Sequence, residues 1–502
     1  MDKAVPQLAD ETESSRQSSG SALLMGLITV LALVIRCYGL EAQSLTNDEV
    51  VEVKIVSQPW SDVVFAADGF PPLYQLIFKA AYLVTDNDLV GRWLSVLFGA
   101  LAVPLLGLLT WRLANGKAAL FASTMLAINP LHVYFSQEGR SYALFFLLCV
   151  LAIGLYLRAV ETSSVIAWMA FGFAASLGGY VHYYFGFVLL ALGIIWLKQA
   201  SVTTTWKQGG VTFSLVAVAQ LPLLMLLRHD IGCQQSMQQT FLSLEAVGYT
   251  GWAWLTGFCL GPSLKELHEA NLVDVVQRIQ FWLVPLLLVS LYWLVSGWNA
   301  NKKFRIELLL LLLIPLIATC AAAIQLQISY NVRYVVPCLA PLVIWLAVAL
   351  SEERKWWLQL GVCLILVVAS ATSLANRQWD ERYFNEDARK TFEYIAAQPA
   401  GPSTVYTMSN YMGESAEYFL PDVYNVVQID DIGIEGEGLP VAIELLNHST
   451  EPFWIFYCRE FHGDPARRLR QVLTDCQSVE LIATWPGVEL YRGKGPLKAT
   501  PR

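Results

Sequence analysis

The sequence predicts a polytopic α-helical membrane protein with a small exterior α/β domain at its C-terminus. Hydrophobic residues make up 55% of the 502 positions and charged residues only 15%, whereas a soluble protein carries charge at about a quarter of its positions. Apolar runs of membrane-spanning length recur from Ser21 to about Leu374. A polar segment with both strand-like and helix-like runs follows them, from 376 to 502. We therefore expect a transmembrane module, 21–375, and a separate terminal domain.

About eleven apolar runs are candidate spans, because each is close to the roughly 20 residues that a helix needs to cross the hydrocarbon. They are 21–40, 92–112, 118–136, 141–158, 164–181, 184–198, 210–227, 280–298, 307–328, 334–351 and 356–375. The run 71–84 is shorter, and we expect it to be an exterior surface helix. Residues 1–20 are polar and serine-rich and contain no signal-peptide cleavage site, which predicts a disordered cytoplasmic arm.

Lysine and arginine are divided unequally between alternate short loops, and this predicts the orientation in a plasma (inner) membrane. The basic loops contain Arg112, Lys117, Arg158, Lys198, Lys207, Lys302, Lys303, Arg305, Arg354 and Lys355. Since basic loops face the cytoplasm, the N-terminus is predicted to be cytoplasmic. The loops 41–91 and 228–279 and the domain 376–502 are then exterior, or periplasmic. A full crossing by 71–84 would reverse this charge bias.

The tail alternates strand-like and helix-like runs, which is why an α/β domain is predicted there. Strand-like runs are 403–409, 424–430, 453–460 and 479–485, and helix-like runs are 385–398, 440–448 and 465–476. Two exterior pairs of cysteines, Cys458 with Cys476 and Cys233 with Cys259, could form disulfides in an oxidising compartment. No cysteine spacing predicts a metal site.

Two adjacent carboxylates, Asp48 and Glu49, follow the first predicted span. One interpretation is structural: Asn47 or Asp48 caps the next helix, with acidic residues in its first turn. The other is catalytic: one carboxylate acts as a general base, or positions an acceptor, at the membrane surface. The two interpretations are compatible, because a capped helix end is a rigid support.

A short turn between two predicted spans contains Gln137, Glu138, Arg140 and Tyr142. Charge at the edge of the hydrocarbon is costly unless it is paired or used. An acid, an amide, a guanidinium and a phenol in one turn therefore predict the wall of a binding site.

Arg92 and Arg333 flank spans on the same predicted side as Arg140. Snorkelling to the interface would explain each of them taken alone. Exterior arginines are exceptions to the charge bias, however, and a guanidinium binds phosphate through two parallel hydrogen bonds. His182, in "YVHYYFGF", is typical of an interfacial aromatic belt, and a role as acid or base is the alternative.

Several classes of function lack support in the sequence. It contains no basic stripe for nucleic acid, and no P-loop, GxGxxG turn, nucleophile elbow or HExxH motif. A multi-span transporter would carry ionisable groups at mid-membrane, where the predicted spans are nearly free of them. A non-catalytic membrane assembly protein for cell-envelope glycans would explain the tail but not the clustered exterior acids and arginines.

An ordered set of short motifs resembles a known family. The motifs are "TNDEV", "GFPPLYQLI", "GRWLSVLFGAL", "NPLHVYFSQEGRSYAL", "YVHYYFGF", "NVRYVVPCLAPL" and "FNEDARKTFEYI". In these the chain resembles the GT-C glycosyltransferases, and most closely the bacterial branch of glycosyltransferase family 39, related to protein O-mannosyltransferases and lipid A aminoarabinose transferases. The resemblance covers most of residues 21 to 400.

The resemblance implies a glycosyltransferase whose donor is a polyprenyl-phosphate sugar and whose catalytic aspartate is Asp48. A base makes the acceptor hydroxyl a better nucleophile by accepting its proton, and a single displacement inverts the anomeric carbon of the sugar. Together with the residues themselves, this predicts catalytic roles for Asp48, Glu49 and Glu138. The predicted donor-phosphate ligands are Arg140, Arg333 and Arg92, and the predicted further substrate contacts are Gln137, Tyr142, His182 and Tyr334. The acceptor is a lipid, a glycan or a protein, although the absence of the mannosyltransferase MIR domain weakens the case for a protein. Whether a divalent cation assists stays open.

Overall fold

The computed structural model describes residues 6–66, 69–200, 206–236, 242–269, 272–398, 401–408, 412–429, 444–464 and 466–496. The chain divides into two compact units. The helical unit comprises Met1–Tyr38, Gln58–Gly257 and Phe281–Ser373, and the α/β unit comprises Gly39–Ser57, Phe258–Gln280 and Leu374–Arg502. The α/β unit thus includes two segments that the sequence analysis assigned to exterior loops of the transmembrane module.

Helices account for nearly all of the regular structure before the tail. They are α1 (Pro6–Cys37), α2 (Asn47–Ser57), α3 (Trp60–Val64), α4 (Leu73–Thr85), α5 (Val90–Leu113), α6 (Gly116–Ile128), α7 (Pro130–Ser136), α8 (Tyr142–Thr162), α9 (Val165–Val181), α10 (Phe185–Ala200), α11 (Trp206–Gln220), α12 (Leu223–Ser236), α13 (Leu244–Thr256), α14 (Leu264–Glu269), α15 (Leu272–Ala300), α16 (Arg305–Leu326), a 3₁₀ helix (Val332–Cys338), α17 (Leu339–Glu352) and α18 (Trp356–Trp379).

Among the described residues, seven helices are long and apolar enough to span a membrane, and two bent pairs raise the number to nine. The bent pairs are α6 with α7 and α11 with α12. The remaining two predicted spans correspond to α9 and α10, which are shorter apolar helices. The predicted surface helix is α4, whose 13 residues reach only about 20 Å at a rise of about 1.5 Å per residue. The predicted fold class, a polytopic helical membrane protein, is confirmed.

Two helices, α1 and α17, are explained by their sequences in different ways. The helix α1 begins at Pro6, within the segment predicted to be a disordered arm, and its apolar part is Gly20–Cys37. Between Pro6 and Gly20 the sequence contains no helix-breaking residue. At the centre of the helical unit, α17 is buried all round from Leu339 to Leu350. A helix that is apolar on every face belongs in such a position.

The bend between α6 and α7 measures 59° and has a local cause. The Asn129 side chain accepts a hydrogen bond from the His132 backbone N–H at 2.9 Å, and Pro130 occupies the first turn of α7. Proline suits a helix start because it has no N–H to satisfy. The Asn129 amide also donates to the Trp254 carbonyl of α13 at 2.8 Å. The chain therefore stops one helix and starts another here, and α7 leads directly into the turn that the sequence analysis singled out.

The tail forms a five-stranded sheet in the order β2-β1-β3-β5-β4. Its strands are β1 (Thr404–Thr407), β2 (Asn425–Gln428), β3 (Phe453–Cys458), β4 (Val479–Trp485) and β5 (Val488–Gly493). Its helices are α19 (Ala388–Ala396), α20 (Gly413–Phe419), α21 (residues 444–448), α22 (Glu460–Gly463) and α23 (Arg468–Asp475), with a short 3₁₀ helix at Glu381–Tyr383. The strand β1 is parallel to β2 and β3, and β5 is antiparallel to β3 and β4.

The central strand β3 is buried on both faces. Phe453, Ile455 and Tyr457 enter one core, and Trp454 and Phe456 enter the other. Such a continuous apolar run is typical of a strand covered on both sides. The predicted α/β domain is confirmed. The sequence analysis did not predict β5 or α20.

The predicted disulfides have separate outcomes. The sulfurs of Cys458 and Cys476 are thiols in the structure, so the disulfide that the sequence allowed between them is not formed. Cys458 lies in β3, and the Cys476 sulfur is 3.0 Å from the Ser478 hydroxyl. The pairing of Cys233 with Cys259 lies outside the described side chains, because Cys233 is not among them.

Candidate functional site

Several helix ends of the helical unit bring two arginines and a set of aromatic rings together. Arg140 and Tyr142 come from the turn before and the start of α8, and His182 and Tyr184 from the link between α9 and α10. We call this group the arginine–aromatic cluster; its members are Phe70, Arg140, Tyr142, His182, Tyr184, Arg333 and Tyr334. Five of the seven were predicted as site residues from the sequence.

The rings of the cluster contact one another in a continuous chain. The His182 ring lies 5.1 Å from the Phe70 ring and 6.0 Å from the Tyr142 and Tyr334 rings, between centroids. Tyr184 stacks on Tyr334 at 4.5 Å with an interplanar angle of 11°. Offset and edge-on contacts of this kind stabilise aromatic groups. The rings therefore form a rigid wall.

Both arginines lie against this wall. The Arg140 guanidinium carbon is 4.8 Å from the Phe70 ring centroid, and Arg140 is only 3% exposed. The Arg333 guanidinium carbon is 5.8 Å from the Tyr142 centroid and 5.5 Å from that of Tyr334. Cations over ring faces gain electrostatic stabilisation, and more of it when they are desolvated. The cluster therefore holds two positive charges in a largely buried setting, and the half-buried Glu138 lies near enough for its charge to act on Tyr142.

Three polar atoms on the aromatic side chains of the cluster are buried and have no hydrogen-bond partner among the described residues: Tyr142 Oη, His182 Nε2 and Tyr184 Oη. The other ring nitrogen of His182, Nδ1, accepts a hydrogen bond from the Tyr184 backbone N–H at 3.3 Å. A neutral His182 must then carry its proton on Nε2, where it is a donor. Buried polar groups are normally satisfied, so these three groups fit a ligand rich in oxygen atoms.

The electrostatic surroundings keep His182 neutral. Burial, followed by the charges of Arg333 and Arg140, lowers the pKa of His182 to about 3. Around neutral pH its imidazole therefore serves as a hydrogen-bonding group without charge. Of the two alternatives from the sequence, a polar aromatic-belt residue or an acid–base group, the geometry favours the uncharged role.

The turn that carries Arg140 is fixed from two sides. Ser95 of α5 donates to the Arg140 carbonyl at 3.2 Å, and the Arg140 N–H donates to the Glu138 carbonyl at 2.7 Å. The Gln137 amide donates to the carbonyls of Arg36 and Tyr38, each at 3.0 Å, at the end of α1. Gln137, predicted to contact substrate, thus satisfies the open end of α1. Its predicted substrate role is not tested by these contacts.

Arg36 supports the same turn through buried hydrogen bonds. It was not predicted as a site residue. It is fully buried and donates to the carbonyls of Leu126 and Ala127 at 3.2 and 3.0 Å. It also donates to His132 Nδ1 at 2.8 Å and to Ser136 Oγ at 3.2 Å. One guanidinium thereby ties the end of α1 to both halves of the bent pair, α6 and α7. The sequence signal was an arginine at the end of an apolar span.

Arg92, the third predicted phosphate ligand, lies in α5 and is 4% exposed. It is one helical turn from Ser95, which bonds to the Arg140 carbonyl. Its role as a phosphate ligand stays a prediction.

The predicted carboxylates Asp48 and Glu49 belong to the α/β unit, in the first turn of α2. The Thr46 N–H donates to the Glu49 carboxylate at 2.8 Å, and the Glu49 N–H donates to Thr46 Oγ1 at 3.2 Å. This reciprocal pair is a capping box, so Thr46 caps the helix where the sequence analysis expected Asn47 or Asp48. The signal was present as Thr-x-x-Glu. Glu49 is buried in this structural role, whereas Asp48 is half-buried.

Among the described residues, no group of three or more His, Cys, Asp or Glu side chains could hold a metal ion. Two members of the arginine–aromatic cluster, Phe70 and Tyr184, were not predicted. Their signals were "GFPP", which begins with Gly69 at a positive φ of 77°, and the second tyrosine of "VHYYFG". Apolar and phenolic side chains are too common at membrane interfaces to be selected from one sequence.

The sequence matches one family model over part of its length. The family model described as "Dolichyl-phosphate-mannose-protein mannosyltransferase" matches residues 70–223. No curated protein matches the sequence.

Solved structures match the fold over nearly the whole chain. ArnT from Cupriavidus metallidurans in the apo state matches with a TM-score of 0.57 and 12% identity, over 95% of this chain and 98% of that one. The same protein bound to undecaprenyl phosphate matches with a TM-score of 0.52 and 13% identity, over 95% and 99%. The oligosaccharyltransferase AglB from Archaeoglobus fulgidus, in complex with an inhibitory peptide and a dolichol-phosphate, matches with a TM-score of 0.55 and 12% identity, over 88% and 70%. The chain therefore has the fold of the GT-C glycosyltransferases, and the resemblance predicted from its motifs is confirmed.

Proposed function

We propose that the protein is a membrane glycosyltransferase that moves a sugar from a polyprenyl-phosphate donor to an acceptor hydroxyl on the exterior face. The observation that carries the proposal is the arginine–aromatic cluster within a GT-C fold. It contains two guanidinium groups, the His182 N–H and three phenols. Such a set suits a ligand with a phosphate and several hydroxyl groups.

Arg140 and Arg333 would bind the donor phosphate. Each guanidinium offers parallel N–H groups that match two phosphate oxygens, and desolvation strengthens the attraction. As the bond from the sugar to the phosphate breaks, negative charge grows on the leaving oxygen, and fixed cations stabilise it. The group that leaves is polyprenyl phosphate, a phosphate monoester that is a stable anion, so no acid is needed to protonate it. Arg92 is proposed as a third contact with the phosphate.

The remaining members of the cluster would contact the sugar. Tyr142 and His182 present an O–H and an N–H in a buried wall, and Tyr334 holds the stack in place. Sugar hydroxyls can both donate to and accept from such groups. Glu138 would accept from a sugar hydroxyl or orient the acceptor.

Asp48 is the proposed general base. It would take the acceptor proton while the acceptor oxygen attacks the anomeric carbon, and a single displacement inverts that carbon. Glu49 is less suited to this task, because both Thr46 contacts hold its carboxylate on the helix end. Support for Asp48 comes from its place in the "TNDEV" motif and from its half-buried side chain.

The test is sugar transfer by the purified protein in lipid vesicles. Labelled polyprenyl-phosphate hexoses and aminoarabinose are the donors, and extracted cell-envelope lipids, glycans and membrane proteins are the acceptors. We expect label transfer from at least one donor, and we expect Asp48→Asn to lower the rate by about a hundred- to ten-thousand-fold with unchanged thermal stability. Absence of transfer from every donor by folded wild-type protein would overturn the glycosyltransferase proposal. Near-normal turnover by Asp48→Asn would remove Asp48 from the mechanism.

A further inference from the structure

The helix that carries Asp48 is held by the C-terminal sheet domain. Helix α2 packs on α20, which precedes strand β2 of the sheet. At the start of α2, the Asn47 side-chain oxygen accepts a hydrogen bond from the Ser415 hydroxyl at 2.8 Å, and both residues are buried. A buried side-chain hydrogen bond of this kind fixes the relative position of two helices.

The other end of α2 is held by charge. Lys54 forms ion pairs with Glu414 and with Glu417, the latter at 3.0 Å. Lys54 lies seven residues after Asn47, so both project from one face of the helix. Each ion pair is half-exposed and modest by itself. Together with the Ser415 bond they hold α2 against α20 at two points, two turns apart.

The segment before α2 is also anchored to the tail. The Ser44 hydroxyl accepts from the Arg389 N–H at 3.2 Å, and the Gln43 side chain bonds to the Asn385 N–H and the Arg377 carbonyl, each at 3.1 Å. These bonds reach three separate points of the chain after 376. Asp48 therefore sits between buried neighbours whose positions depend on the tail.

We propose that the C-terminal α/β domain positions Asp48 for catalysis, with Ser415, Glu414 and Glu417 as positioning residues. The inference rests on the proposed role of Asp48 as base. A general base must lie within hydrogen-bond reach of the proton that it removes, and an error of about 1 Å can lower the rate by roughly a hundredfold. Loosening α2 should therefore lower kcat. The affinity for the donor should be unchanged, because the proposed phosphate ligands belong to the helical unit.

The test compares the double variant Ser415→Ala/Lys54→Met with two controls. In the first control, the double variant carries Lys54→Arg in place of Lys54→Met. It keeps the positive charge at position 54, so most of the activity lost in Ser415→Ala/Lys54→Met should return. Glu480→Gln removes an exposed ion pair with Lys494 elsewhere in the same unit, and it should leave the rate unchanged. We expect kcat to fall about ten- to a hundredfold in the double variant, with the donor KM within twofold of wild type. Ser415→Ala alone serves if the double variant does not fold.

The outcomes separate the two proposals. If Asp48→Asn retains transfer, the proposed base is wrong and this inference fails with it. If Asp48→Asn is inactive but Ser415→Ala/Lys54→Met keeps a normal kcat, only the positioning role is overturned. A rise in donor KM with unchanged kcat, or an equal loss in Glu480→Gln, would likewise contradict the positioning role.

Discussion

At the scale of single residues, the arginines of the cluster are set apart from ordinary interfacial arginines by what surrounds them. Arg140 is nearly inaccessible and lies over Phe70, and Arg333 lies over two phenol rings. A snorkelling side chain would reach toward water. These side chains instead face a wall with three buried polar atoms, which favours ligand binding.

We therefore predict that Arg140→Lys and Arg333→Lys each raise the donor KM about ten- to a hundredfold. Lysine snorkels as well as arginine, but it replaces a planar fork with a point charge, and a charge-assisted hydrogen bond contributes roughly 1.5–3 kcal/mol. The measurement is the donor KM at saturating acceptor. Arg305→Lys is the matched control, because Arg305 also lies over a ring, that of Trp298, on the predicted cytoplasmic side. An unchanged donor KM in both variants would leave the phosphate without its proposed ligands.

The lowered pKa of His182 leads to a prediction about stability and pH. The folded-state pKa is about 3 and the unfolded value is about 6.5, so acid protonates the unfolded chain first. Stability is therefore present above about pH 6.5 and is lost progressively as the pH falls toward 3. We expect His182→Phe, which keeps a ring stacked on Phe145, to show a shallower fall of Tm between pH 7 and pH 5 than wild type. His448→Gln, on the surface, should behave as wild type, and identical slopes in all three proteins would contradict the burial argument.

The sequence identified the charged and polar members of the cluster because such residues are rare at the ends of apolar spans. The sequence alone could not show which hydrogen bonds such residues make. Gln137 was predicted to contact substrate and Glu49 to be catalytic, and the sequence did not show that both also satisfy helix ends. A side chain's partner depends on tertiary contacts, and Arg36 bonds to residues about a hundred positions away.

At the scale of elements, length and apolarity located the helices well, and interruptions within them were harder to predict. The predicted span 118–136 is two helices, because Asn129 and Pro130 start a new helix instead of bending an old one. Strand β5 was missed because Pro486 and Gly487 resemble the end of a strand. They instead form a tight turn in which Gly487 has a φ of 70°, and β4 and β5 pair across it. A glycine is needed there because other residues rarely adopt such an angle.

The capping box of α2 gives a prediction for Glu49. Glu49→Gln should keep both the cap and transfer, because a glutamine at this position can also accept from the Thr46 N–H. Glu49→Ala should lower the free energy of unfolding by about 1 kcal/mol, the usual cost of losing a helix cap. Chemical denaturation and turnover of both variants provide the measurement. Loss of transfer in well-folded Glu49→Gln would instead assign the carboxylate a catalytic role.

At the scale of the whole molecule, the sequence predicted the membrane module and the terminal domain but not which segments form each compact unit. Nothing local in 39–57 or 258–280 indicates that they cluster with residues after 374. The contacts that decide it join distant residues, such as Asn47 with Ser415. The hydrophobic pattern is local and can be read without the fold, whereas such contacts cannot.

The predicted orientation can be tested on intact cells. In a cysteine-free background, single cysteines at 115 or 353 should resist an impermeant thiol reagent, and cysteines at 422 or 480 should react. The physical reason is the excess of lysine and arginine in the loops predicted to be cytoplasmic. Labelling after permeabilisation is the control for accessibility. Reaction at 115 together with protection at 480 would show that the membrane orientation is reversed.

The three-segment composition of the α/β unit has a consequence for biosynthesis. Translation adds about 5–20 residues each second, so α2 leaves the ribosome on the order of tens of seconds before α20 exists. Throughout that interval the face of α2 bearing Asn47 and Lys54 lacks the partners it has in the finished fold. A chain terminated before Gly413 would keep all of its apolar spans, yet it would leave the Asp48 helix undocked. Premature termination should thus yield a membrane-inserted protein in which α20 does not cover this face of α2. We expect quality-control proteases to recognise the exposed face.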